Sequence, residues 1–149
     1  MVHLPSLLHW KRSNMKHLLT LLTDDKSVIE DITALIKLFP TWEMRLYDNV
    51  EIAWIDYWKR EPDLSIIDLD YTGIKPDRDA ANLIRSGHIS PLMLFISQEA
   101  MSSLFAVFAT ELCAIDYVQK PINLDRIVFA LSIAEGPRQE LEASETSKV

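Results

Sequence analysis

Asp63-Leu64-Ser65-Ile66-Ile67-Asp68-Leu69-Asp70 is the stretch whose reading decides the fold. Apolar residues without polar alternation run straight into a carboxylate, the pattern of a strand buried on both faces of a parallel sheet. In open α/β sheets ligands bind just beyond the carboxyl ends of such strands, so Asp68 stands where chemistry is expected. A strand followed by an acidic turn explains the same residues without any chemistry. The rest of the chain has to decide between the two.

Working outward, His17-Leu18-Leu19-Thr20-Leu21-Leu22-Thr23 reads as a second doubly buried strand, ending at Asp24-Asp25. Leu92 to Ile96 reads as a third, ending at the Ser97 hydroxyl, and Ile115 to Gln119 as another, ending at Lys120-Pro121. Trp42, Met44 and Leu46 alternate with polar residues, which predicts a half-buried strand nearer a sheet edge. Between the strands lie helical spacings. Val28, Ile29, Ile32, Leu35 and Ile36 share one face, and Phe39-Pro40 closes that helix. Asp48-Asn49 supplies a turn and an N-cap for a helix over Val50 to Lys59. After Asp70 we expect a loop through Pro76, a short helix through Ala81, Leu83 and Ile84, and a stop at Gly87. A further helix is expected over roughly Ala100 to Leu112. The last opens at Asn123 or Asp125, buries Leu124, Ile127, Val128 and Leu131, and stops at Gly136-Pro137.

The 149 residues suffice for one domain with its own core. Residues 1–16 show no sustained period and read as an N-terminal extension, 17–135 as the folded domain, and 136–149 as a polar tail or linker. A net charge of −7 argues against direct nucleic-acid binding, which needs a basic surface to displace counterions. The single cysteine, Cys113, excludes an internal disulfide framework and reads as a core thiol of a cytoplasmic protein. The four histidines show no metal-ligand spacing. No apolar run approaches the ~20 residues of a membrane span.

Five strands alternating with five helices predict an α/β fold, a five-stranded parallel sheet with helices on both faces. Right-handed crossovers bring Asp24, Asp25, Asp68, Ser97 and Lys120 to one edge of that sheet. Three close carboxylates repel and call for a cation, and hard oxygen ligands suit Mg²⁺ beside a phosphoryl group. A carboxylate can attack phosphorus to give an aspartyl-phosphate. A serine hydroxyl and a lysine ammonium then stabilise the transferred oxygens.

With these residues in place, the chain resembles the receiver domain of two-component response regulators, the CheY-like, flavodoxin-like fold. The resemblance spans roughly His17 to Ala134. It rests on Asp24-Asp25, on Pro62-Asp63 leading to Asp68, on Ser97, and on Ala114-Ile115-Asp116-Tyr117 before Lys120-Pro121. The Ala-Ile-Asp-Tyr spelling is similar to receivers that precede LytTR-type DNA-binding domains. The resemblance implies that Asp68 accepts phosphate from a histidine kinase or phosphotransfer protein. It implies Mg²⁺ held by Asp24, Asp25, Asp68 and the backbone carbonyl of Asp70. It further implies phosphoryl contacts from Ser97 and Lys120, a switch carried by Ser97 and Tyr117, and a cis Lys120–Pro121 bond. The expected output is a population shift on the face built by the fourth helix, the fifth strand and the fifth helix, where a partner or a second copy would dock. The over-wide apolar stripe at Leu104, Val107 and Phe108 would serve such docking or pack on a neighbouring helix, and the sequence reads equally well either way. Such a module does only its own phosphorylation and dephosphorylation chemistry and is otherwise not an enzyme.

The chain departs from the family pattern. Tyr71-Thr72-Gly73 replaces the frequent Met-Pro-Gly after the phosphoacceptor. Gln98 follows Ser97 where a small residue is usual, which predicts a crowded site. Asp70 and Glu99 add negative charge. An enzymatic alternative also fits part of the chain, because Asp68-Leu69-Asp70-Tyr71-Thr72 matches the Asp-x-Asp-x-Thr motif of haloacid-dehalogenase-type phosphohydrolases. There Asp68 would be the nucleophile and Asp70 the general acid–base. Residue order speaks against it, since that family places its metal-binding acidic pair after the lysine, whereas here the pair precedes Asp68. A third alternative is a receiver-like interaction module that is never phosphorylated.

Overall fold

The computed structural model describes residues 15–72, 92–101, 106 and 114–147. Five parallel strands form one sheet: β1 (His17–Leu22), β2 (Trp42–Tyr47), β3 (Leu64–Asp68), β4 (Leu92–Ser97) and β5 (Ala114–Gln119). Their order across the sheet is β2-β1-β3-β4-β5. The chain therefore reverses its direction of travel across the sheet at β1 and β3, which opens a crevice beyond their carboxyl ends.

The helices α1 (Lys26–Ile36), α2 (Val50–Lys59), α3 (Leu69–Thr72) and α4 (Leu124–Ser147) complete the described elements. Asp25 caps α1 by accepting from the Ser27 and Val28 amides, and Asn49 caps α2 by accepting from Glu51 and Ile52. Both carboxamide and carboxylate caps satisfy amides that the first helical turn leaves open. Asn123 does the same for α4, accepting from the Asp125 amide at 3.0 Å.

Strand pleating sorts the core into two clusters. Leu19, Leu21, Leu64, Ile66, Leu94 and Ile96 face α1 and α4, packing on Ile32, Leu35, Ile127 and Leu131. Leu22, Ile67, Met93 and Phe95 point the other way, onto Ala53 and Tyr57 of α2. Both faces of β3 are covered, as its unbroken apolar run requires. The second face also holds a set of hydroxyls: Thr20 Oγ1 lies 2.9 Å from Ser65 Oγ and 3.0 Å from Tyr57 Oη. At the opposite end of β3 from Asp68, the Asp63 carboxylate accepts from the Leu18 amide at 2.8 Å. The first carboxylate of the deciding stretch thus anchors neighbouring strands, and its later members lie at the other end of the strand.

Three expectations need correction. The segment after Asp70 does not begin as loop at Tyr71, because Leu69–Thr72 form a helical turn. The alternation in β2 does not hold to its end: Leu46 is 45 % exposed while Tyr47 is buried, since α2 covers the face that Tyr47 occupies. Finally, α4 does not stop at Gly136-Pro137 but runs on to Ser147. A proline inside a helix removes one backbone hydrogen bond without forbidding the helix, and a Cβ on Gly136 would meet nothing within 4 Å. The short helix expected through Ala81–Ile84, the stop at Gly87, Cys113 and the stripe at Leu104, Val107 and Phe108 lie outside the described residues. So does most of the helix expected over 100–112, within which Ala106 is helical.

Candidate functional site

The parallel register aligns Leu22 with Ile67, Asp68 with Ile96, and Ser97 with Gln119, so the strand ends form a row along one sheet edge. Asp68 is fully buried at its centre. Its Oδ2 accepts from the Lys120 ammonium at 2.8 Å and from the Thr23 hydroxyl at 2.6 Å. Its Oδ1 accepts from the Asp70 amide at 2.9 Å, which the α3 turn folds back over the strand end. A buried carboxylate is tolerated only when its oxygens are paired and hydrogen-bonded, and here both are.

Lys120 is the hub. Besides Asp68, its Nζ reaches Asp25 Oδ2 at 3.0 Å and Asp70 Oδ2 at 3.1 Å. Burial alone would push the lysine pKa down, but the hydrogen bonds to Asp68, Asp25 and Asp70 outweigh it and raise it above the ordinary lysine range. The hydrogen bond from Lys120 holds the Asp25 carboxyl below the usual carboxylate range, with the Val28 and Ser27 amides helping. For Asp70, burial works upward, but the Ser97 hydroxyl, the Gln98 amide and Lys120 together bring its carboxyl below that range. The peptide bond Lys120–Pro121 is cis, as the resemblance implied.

Ser97 is buried, and its Oγ donates to Asp70 Oδ1 at 2.8 Å while accepting from the Glu99 amide at 3.1 Å. The Gln98 amide donates to Asp70 Oδ2 at 2.8 Å. Gln98 itself is exposed and meets the site through its backbone, which differs from the crowding expected of its side chain. On the far side of this segment, Tyr117 Oη donates to the Glu99 carbonyl at 2.8 Å and Gln119 Nε2 to the Gln98 carbonyl at 3.0 Å.

The structure therefore brings together Asp25, Asp68, Asp70, Ser97 and Lys120, with Tyr117 one peptide removed. Asp24 is exposed and takes no part in these hydrogen bonds. One participant escaped the sequence reading: Thr23, whose hydroxyl touches Asp68. The Asp70 side chain enters that reading only as added negative charge or as the general acid–base of the phosphohydrolase alternative, not as the partner of Ser97 and Lys120. Thr23 could have been found from its place, the last polar residue before the acidic pair at the end of β1. The oxygen donors are of the hard type that suits Mg²⁺. Among the described residues, however, no three His, Cys, Asp or Glu side chains are gathered as a metal cluster, and the Lys120 ammonium is the cation on which three carboxylates converge. Also among the described residues, no helix is long and apolar enough to cross a membrane.

Neither a protein-family model nor a curated relative matches the chain. Solved structures do. The signal receiver domain of an HD domain-containing protein from Pseudomonas fluorescens Pf-5 superposes with a TM-score of 0.67 at 17% identity, covering 84% of this chain and 98% of that one. The signal receiver domain of a putative Luxo repressor protein from Vibrio parahaemolyticus gives 0.68 at 20% identity, covering 87% and 98%. NtrX from Brucella abortus gives 0.61 at 24% identity over 90% of this chain but 30% of its own. The chain has the CheY-like fold of response-regulator receiver domains.

Proposed function

We propose that the chain is a phosphoacceptor receiver module of a two-component system, with Asp68 as the residue phosphorylated. The observation that carries this reading is the Asp68 carboxylate itself, buried at the crevice of the sheet with Lys120 at 2.8 Å and Thr23 at 2.6 Å. In the reaction, an Asp68 oxygen attacks the phosphorus of a phosphohistidine on a kinase or phosphotransfer protein. The new O–P bond forms as the P–N bond breaks, and the electron pair returns to the imidazole nitrogen. Lys120 and Ser97 stabilise the charge on the transferred oxygens. Asp25 and Asp68, with Asp24 and the Asp70 carbonyl, would hold Mg²⁺, whose charge would offset the repulsion between carboxylates and phosphate.

The signal leaves through the Ser97–Glu99 segment, whose far side is tied to Tyr117 and Gln119 of β5. A change at Ser97 is thereby passed to the face formed by β5 and its flanking helices, where a partner or second copy docks. The test is intact mass after incubation with Mg²⁺ and acetyl phosphate, with Asp68→Asn as control. A phosphoryl adduct on the wild type alone supports the reading. Steady phosphate release without an adduct points to a phosphohydrolase, and neither adduct nor turnover, with a cognate kinase failing too, points to an unphosphorylated interaction module.

A further inference from the structure

We propose that the Asp70 carboxylate is an internal competitor of the phosphoryl group, occupying its donors until phosphorylation displaces it. The inference rests on the phosphoacceptor reading of Asp68. Among the described residues, three donors meet on Asp70: the Ser97 hydroxyl at 2.8 Å, the Gln98 amide at 2.8 Å and the Lys120 ammonium at 3.1 Å. These are a hydroxyl, a backbone N–H and a cation arranged about one small anion. Ser97 and Lys120 are the groups that a phosphate on Asp68 would need. An anion two residues from the phosphoacceptor, held by the same donors, cannot share them with a second anion of higher charge.

The geometry supplies both the hold and the release. The α3 turn places the Asp70 amide on Asp68 Oδ1 at 2.9 Å, which fixes the backbone while the side chain reaches across to β4. The Asp70 side chain is 28 % exposed, so it can swing to water without leaving a buried charge unpaired. Asp68, at 1 %, has no such outlet. A phosphoryl group on Asp68 repels Asp70 and offers its own oxygens to the donors, so the exchange leaves none of them unsatisfied. Before phosphorylation, the Ser97–Glu99 segment is thus already drawn toward the site on one side and toward Tyr117 on the other. Asp70 sets how readily phosphate enters.

The test compares wild type, Asp70→Asn and Asp70→Ala as full chains. Adduct formation with Mg²⁺ and acetyl phosphate is followed by intact mass, and the Gln98 amide resonance is read without phosphodonor. Release of the charge-assisted hold is expected to speed adduct formation roughly tenfold in Asp70→Ala. A smaller gain is expected in Asp70→Asn, with the Gln98 amide proton moving upfield in both. An adduct forming at the same rate or more slowly in both variants, or an unmoved Gln98 amide, overturns the inference and leaves the phosphoacceptor reading standing. No adduct in any of the three proteins removes that reading, and the inference with it.

Discussion

The Tyr117 hydroxyl is bound to the Glu99 carbonyl, while the Glu99 amide is bound to the Ser97 hydroxyl. One residue thus joins the aromatic of β5 to the serine of the site. Tyr117→Phe keeps the ring against the α2-facing core but loses this bond, at about 0.5–1 kcal/mol. We expect phosphorylation of Asp68 to proceed in the variant while the spectral response of β5 to it is reduced. Amide shifts of residues 114–119 with and without acetyl phosphate read this directly, and an undiminished response would show that Tyr117 carries no signal.

Lys120→Met leaves Asp25, Asp68 and Asp70 without their shared cation. Asp25 and Asp70 keep access to water but Asp68 does not, so the loss is that of a buried pair broken on one side, and about 3 kcal/mol is expected at neutral pH. Urea unfolding in the presence of a chelator measures it. The loss should shrink toward pH 4 as the carboxyls take up protons.

The pH dependence of the wild type follows from the same cluster. Asp25 and Asp70 titrate below their unfolded values, so their stabilisation is present above about pH 4 and fades as pH falls through the folded pKa values. Lys120 titrates above its unfolded value, so its share is complete below about pH 10 and fades as pH rises beyond it. Chelator-treated protein should show a flat stability from these groups between pH 5 and 9. A steep slope inside that window would contradict the assignment.

Thr23→Val removes the hydroxyl between Asp68 and the Asp25 amide. One Asp68 oxygen then loses a partner inside the protein, at a cost of about 1–2 kcal/mol. Thermal unfolding checks the stability. Slower adduct formation with acetyl phosphate would show that Thr23 also orients the carboxylate.

The sheet was legible because Leu18–Leu22, Leu64–Ile67 and Leu92–Ile96 are apolar on both faces, and only a covered parallel sheet needs that. Asp68, Ser97 and Lys120 were legible because strand ends in such a sheet share an edge. The part played by the Asp70 side chain was not, because it depends on a four-residue turn that brings its amide to Asp68 and its carboxylate to β4. Nor was the course of α4, where Gly136-Pro137 is a stop signal by local chemistry alone. The exposure of Leu46 beside buried Tyr47 depends on where α2 lies, which no alternation within β2 encodes.

The hydroxyls of Thr20, Ser65 and Tyr57 carry a consequence for which sequences this sheet can accept. They close a triangle, since Ser65 Oγ also donates to Tyr57 Oη at 3.4 Å, so losing one leaves the other two bonded to each other, through a short contact for Thr20 and Ser65 and a long one for Ser65 and Tyr57. Position 57 can therefore change alone, while 20 and 65 are the pair expected to change together among chains of this lineage. A phenylalanine at 57 leaves the 2.9 Å bond between Thr20 and Ser65 in place, whereas an apolar residue at 20 leaves Ser65 only its longer contact with Tyr57.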